Sequence, residues 1–142
     1  MGPERRLEDL FEPASPLAQA LAREEPFGSD GELLERARAI SVGLSESDKI
    51  GTLNAHPRIG ARSDQLSVRS LTEQGADVLP ELDRLNDEYE RKFGFRFVVF
   101  VNRRPKSELV EVLRQRLRNS REEELQAGLD AILNIAADRL RS

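Results

Sequence analysis

The chain has 142 residues, 22 Lys and Arg against 26 Asp and Glu, a net charge of -4, 38% apolar residues and no cysteine. That length fits one domain, residues 1–142, able to bury its own core without staples. Lack of cysteine excludes disulfides and thiol nucleophiles, a solitary histidine excludes a multi-histidine metal site within one chain, and scattered basic residues do not form a nucleic-acid footprint.

In chain order, the opening MGPERRLEDLFE has no apolar region of a secretory signal. It also fails the myristoylation pattern, because Arg6 stands where Ser or Thr is required. No apolar run reaches membrane-spanning length, and the last residues, DRLRS, are not a peroxisomal address. The expectation is a cytoplasmic protein with neither membrane nor nucleic-acid partners.

SPLAQALAREE predicts a helix with Ser15 as N-cap and Pro16 at its first position. DGELLERARAISVGL predicts a second, capped by Asp30, with Leu33, Leu34, Ala37 and Ile40 turned inward. SESDKIGTLNA predicts a third, capped by Ser45, with Leu44, Ile50 and Leu53 inward. It runs into His56-Pro57, and a residue before proline is pushed out of the α region, so the helix ends at or before His56. RIGARSDQLS is the longest predicted loop. PELDRLNDEYERKFG predicts a helix opened by Pro80 and stopped by Gly94. PKSELVEVLRQRLRNS predicts another, with Leu109, Val112, Leu113 and Leu117 on one stripe. REEELQAGLDAILNIAADRLRS closes the chain, with acids at its start and arginines at its end. FGFRFVVFVN, residues 93–102, breaks the pattern. It has strand composition but no partner strand, so it is either an extended segment threaded among helices or a helix misread from local propensity.

Four features carry candidate chemistry, each beside a plainer explanation. His56, with Pro57 fixing the backbone, is either a helix-capping residue or a general acid–base. Ser70 and Glu73 match a capping box; alternatively Ser70, Glu73 and Gln74 share one helix face that grips a polar, urea-like ligand. Arg139 lies at the inward edge of the last helix, where it needs an anion: a neighbouring side chain or a substrate carboxylate. The aromatic segment is either core or a ligand-facing backbone edge.

AHPRIG, SLTEQ, ELDRLNDEYERKFGFRFVVFV and RLRNSREEELQAGLDAILNIAADRL, in that order, resemble the 2-oxo-4-hydroxy-4-carboxy-5-ureidoimidazoline (OHCU) decarboxylase family. The resemblance runs from about Phe11 onward. It implies an all-α fold with one extended aromatic segment, a homodimer, and decarboxylation of OHCU to (S)-allantoin with no metal or organic cofactor. It also implies site residues. His56 is the proton donor, Glu73 its partner, and Pro57 a substrate contact. Ser70, Leu71, Thr72, Glu73 and Gln74 form a substrate-binding segment. The backbone of Phe97, Val98, Val99, Phe100 and Val101 meets substrate, and Arg139 faces it. Two positions depart from the commoner family pattern: His-Pro-Arg-Ile-Gly stands where many members have His-Pro-Asp-Leu-Ala, and Arg96 where many have proline. The chemistry suits so sparse a set, because a C=N group next to the scissile carboxylate makes the substrate its own electron sink. A non-enzymatic helical interaction module, or another His-dependent lyase on the same fold, are the competing expectations.

Overall fold

Serine and proline set the helix starts in the computed structural model, which describes residues 7–58 and 78–141. Ser15 Oγ accepts from the Ala18 N–H at 3.1 Å, and Pro16 opens the helix behind it. Ser45 does the same for Asp48 at 3.1 Å. Among the described residues there are seven helices and no strand. They are α1 Leu7–Leu10, α2 Pro16–Ala22, α3 Asp30–Gly43, α4 Glu46–Ala55, α5 Val78–Phe93, α6 Lys106–Arg116 and α7 Arg121–Arg141.

Two predicted boundaries move. Ser29, not Asp30, caps α3: its hydroxyl accepts from Glu32 N at 3.1 Å, which leaves Asp30 as a first-turn acid facing the helix dipole. Helix α5 begins at Val78, two residues before Pro80, because a proline within the first turn lacks an N–H that has no intrahelical acceptor there anyway. It stops where predicted, at Gly94, whose φ of 82° glycine adopts without a Cβ clash. Most of the predicted loop lies outside the described residues.

Helix α7 is the common partner of α1, α3 and α4, while α5 packs on α6. The α4–α7 crossing is close because residue 128 is glycine: a Cβ there would stand 2.7 Å from Leu53 Cδ2. One turn beyond Leu53 along α4 comes His56; one, two and three turns beyond Gly128 along α7 come Ile132, Ile135 and Arg139. The crossing therefore aligns the imidazole with the end of α7.

The aromatic segment, residues 95–101, is neither helix nor strand, and it threads among the helices. Phe95 and Phe97 are fully buried with Tyr89 and Phe93, ring centroids 4.5–6.1 Å apart. With no sister strand, its carbonyls turn to arginines. Arg116 Nη1 donates to Val98 O at 3.1 Å, and its guanidinium lies over the Phe97 ring. Arg104 donates to the carbonyls of Phe100 at 2.6 Å and Val101 at 3.1 Å. Arg121 donates to Phe93 O at 3.1 Å. Arg116 is in turn held by Glu124, which is fully buried although it sits among the acids that open α7. Glu124 accepts from Tyr89 Oη at 2.6 Å, Arg116 Nε at 2.7 Å and Asn119 Nδ2 at 2.7 Å. Burial, then the bond to Glu124, pushes the Tyr89 phenol well above its ordinary range.

Removing one member of a buried ion pair leaves an uncompensated charge and costs about 3–5 kcal/mol. Glu124→Ala should lose that much in urea unfolding. Tyr89 is the only tyrosine and there is no tryptophan, so tyrosine fluorescence reports this network alone. An unchanged midpoint would show that the network does not hold the segment.

Candidate active site

The site begins where α4 stops. Pro57 forces His56 out of the helix, to φ -76° and ψ 141°, while its N–H still bonds to Leu53 O. The ring turns its Nδ1 to the Pro57 carbonyl at 3.1 Å. A carbonyl only accepts, so Nδ1 carries the hydrogen and Nε2 keeps its lone pair in the neutral ring. Nε2 is buried and has no hydrogen-bond partner among the described residues. On either side of His56 the chain is tied down. Arg96 Nη1 donates to the carbonyls of Asn54 at 3.2 Å and His56 at 2.8 Å. Arg58, just beyond, bonds to Asp83 O at 3.1 Å and to the Asp87 carboxylate at 2.5 Å on α5.

His56 opens onto a cavity of about 340 Å³, walled also by Val99, Phe100, Val101, Asn102, Arg103, Ile135, Asp138 and Arg139. Behind it a crevice of about 10 Å³ separates the ring from Glu12, Ser15 and Thr52, space for roughly one water. Arg139 is anchored through Nη1 to Leu10 O at 3.0 Å, the C-terminal carbonyl of α1. Helical spacing thus placed Arg139 correctly at an inward edge, and the neighbour it meets there includes a backbone carbonyl. Burial lowers the His56 pKa below its ordinary value; the Pro57 carbonyl and Glu12 work against this, and Arg139 and Arg96 reinforce it. Burial thus favours the neutral ring, while Glu73, the expected partner of His56, lies outside the described residues.

The predicted residues divide into three groups. His56, Val99, Phe100, Val101 and Arg139 share the cavity. Phe97 and Val98 are buried core beneath it, and Pro57 is exposed, meeting the ring through its carbonyl. Ser70, Leu71, Thr72, Glu73 and Gln74 lie outside the described residues. The carbonyls of Phe100 and Val101 are occupied by Arg104, whereas the N–H groups of Val99, Phe100 and Val101 donate to no described residue. The wall then turns sharply at Asn102 and Arg103, both left-handed at φ 49° and 64°, a conformation that non-glycine residues adopt at a cost and chiefly at functional sites. Sequence reading missed Asn102, Arg103, Ile135 and Asp138. The last two were findable, since Ile135 precedes Arg139 by four positions on one helix and Asp138 follows Ile135 by three. No group of three His, Asp or Glu residues suited to a metal occurs among the described residues.

A family model described as OHCU decarboxylase matches residues 4–141. The chain belongs to that family. It is 34% identical to a 2-oxo-4-hydroxy-4-carboxy-5-ureidoimidazoline decarboxylase of Halalkalicoccus jeotgali, over 93% of this chain and 79% of that protein. It is 30% identical to the uric acid degradation bifunctional protein PucL of Bacillus subtilis, over 94% of this chain but 28% of that protein. A crystal structure of OHCU decarboxylase in the presence of (S)-allantoin superposes with a TM-score of 0.74 at 28% identity, covering 90% of this chain and 88% of that one. The family's all-α architecture is the one seen here.

The depressed His56 pKa has a measurable consequence. Unfolded, the imidazole takes its proton near pH 6.5; folded, it does so at lower pH. Between those values the unfolded chain binds more protons, so stability rises with pH there and is lost on acidification below about 6.5. His56→Gln removes this component. Its melting temperature should fall less than that of the wild type between about pH 7 and pH 5 by scanning calorimetry. Parallel slopes would show that the imidazole is not desolvated.

Proposed function

We propose that the His56 cavity decarboxylates OHCU to (S)-allantoin, within urate degradation, and that His56 supplies the proton that sets the product's handedness. The observation that carries this reading is the sole imidazole, its Nε2 buried and without a partner among the described residues, in one cavity with Arg139 and with Val99, Phe100 and Val101, whose N–H groups donate to no described residue. The cavity's volume lies in the range of small-molecule sites. Its donors suit a substrate rich in acceptors. An interaction module would have no use for such a cavity.

In this reading Arg139 and the N–H groups of residues 99–101 hold the carboxylate out of the plane of the C=N bond. The C–COO⁻ bond breaks, its electron pair moves into the imine, and the ring nitrogen takes one proton from solvent. The resulting enol needs a proton on its ureido-bearing carbon. The anionic substrate raises the proton affinity of the neutral imidazole on binding, so Nε2 is loaded in the complex. Nε2 gives that proton to the carbon and takes back the hydroxyl proton as the carbonyl forms. One proton is consumed, CO2 leaves, and the imidazole is restored. The electron sink belongs to the substrate, so no cofactor chemistry is invoked. Ser70, Leu71, Thr72, Glu73 and Gln74 complete the reading as the segment that holds the ureido group, with Glu73 orienting the ring. Pro57 enters by fixing the tautomer. A homodimer and a cytoplasmic location belong to the same reading; light scattering tests the first, and a monomer at micromolar concentration would remove it.

His56→Asn keeps much of the shape without a titratable proton. General acid–base help is worth about 10²–10⁴-fold, so the variant should lose enantiospecific production by that factor. The check is circular dichroism of (S)-allantoin after adding freshly oxidised urate. Equal rate and handedness in mutant and wild type would return His56 to a capping role. Arg139→Ala should raise KM by roughly 10- to 100-fold, the worth of a hydrogen bond to a charged group, with a smaller change in kcat.

A further inference from the structure

The end of α4 and the aromatic segment are far apart in sequence, yet one residue joins them twice. Arg96 uses its backbone N–H to donate to Asn54 Oδ1 at 2.9 Å. It uses one guanidinium nitrogen to reach both Asn54 O at 3.2 Å and His56 O at 2.8 Å. The first is among the last carbonyls of α4 and the second belongs to its C-cap, and no further turn of helix can satisfy either. Three residues after Arg96 the same segment becomes the cavity wall at Val99. We propose that Arg96 is a positioning residue for His56, locking the imidazole's backbone to the segment that forms the opposite wall, so that proton donor and substrate cradle move as one piece. This rests on the functional reading above.

The charge matters as well as the bonds. Carbonyls at a helix C-terminus carry partial negative charge, which favours a protonated histidine. Arg96 covers one of them, Asn54 O, and the cap carbonyl of His56 with a cation. Among the described residues, the charged groups that act on the ring are Glu12 from the α1–α2 corner, Arg139 from α7 and Arg96 from the aromatic segment, and Arg103 and Asp138 share its cavity. Of these, Arg96 alone also bonds to the histidine's own backbone. A group that merely filled space would set neither the ring's aim nor its titration.

The chain has one histidine, so its imidazole gives a single, unambiguous NMR titration. Arg96→Met keeps length and loses charge and donors; Arg96→Lys keeps charge and loses the planar guanidinium. Expected for Arg96→Met are a His56 titration at higher pH than in the wild type and a kcat lower by roughly 10- to 100-fold, the effect of a misplaced catalytic group, with KM changed far less. Expected for Arg96→Lys are a titration close to wild type and only partial recovery of kcat. A folded Arg96→Met protein with wild-type titration and kcat overturns the proposal, and so does a change confined to KM. Should Arg96→Met not fold, Arg96→Lys decides: full wild-type kcat overturns the proposal, and reduced kcat with an unmoved titration supports it. A wild-type protein inactive on OHCU would sink the functional reading instead, while the titration arm would still report whether Arg96 governs the ring.

Discussion

Every buried carbonyl needs a donor, and a strand-like segment without a sister strand has none built in. Residues 95–101 pose that problem at the centre of an otherwise helical protein. The solution is arginine. Arg116 serves Val98, Arg104 serves Phe100 and Val101, and Arg121 serves Phe93 at the entrance. Arginine suits the task because its guanidinium offers several donors in one plane and its flat face stacks on phenyl rings, as Arg116 does on Phe97. These cations need their own compensation, which explains the fully buried Glu124 with its three donors.

This bracing has a chemical result at the cavity. Arg104 takes the carbonyls of Phe100 and Val101, whereas the N–H groups of Val99, Phe100 and Val101 donate to no described residue. The same cavity holds an imidazole whose Nδ1 faces the Pro57 carbonyl and whose neutral form burial favours. In the proposed reading, an anion enters this cavity, loads the imidazole through its own charge, and leaves lighter by CO2. Gly128 contributes from a distance: without the close α4–α7 crossing, His56 and Arg139 would not share a cavity.

Local rules made the helices legible. Ser15, Ser45, Gly94 and the His56-Pro57 pair each act within a few residues, so their consequences could be read along the chain. Arg139 was legible for the same reason, since helical spacing alone put it at an inward edge. Glu124 was not. Its position suggested a solvated acid facing the helix dipole, and only Tyr89, 35 residues away, and Arg116 explain its burial. Arg96 was opaque in the same way, because its partners lie about forty positions back. The choice between Ser29 and Asp30 failed for a smaller reason: two adjacent residues both cap well, and backbone angles decide between them. The aromatic segment's composition marked it as a break in the helical pattern and left extended chain and misread helix both open, and composition carries no record of which distant cations would answer its carbonyls.

A wall built from backbone N–H groups has a genealogy unlike that of a wall built from side chains. Val99, Phe100 and Val101 can be exchanged for other residues of similar size while the donors they present stay the same, because every residue except proline carries one. Recognition at such a wall would be inherited through the path of the chain. Comparing sequences for invariant ligand-binding letters would overlook it. Drift would be punished at the arginines that hold the path.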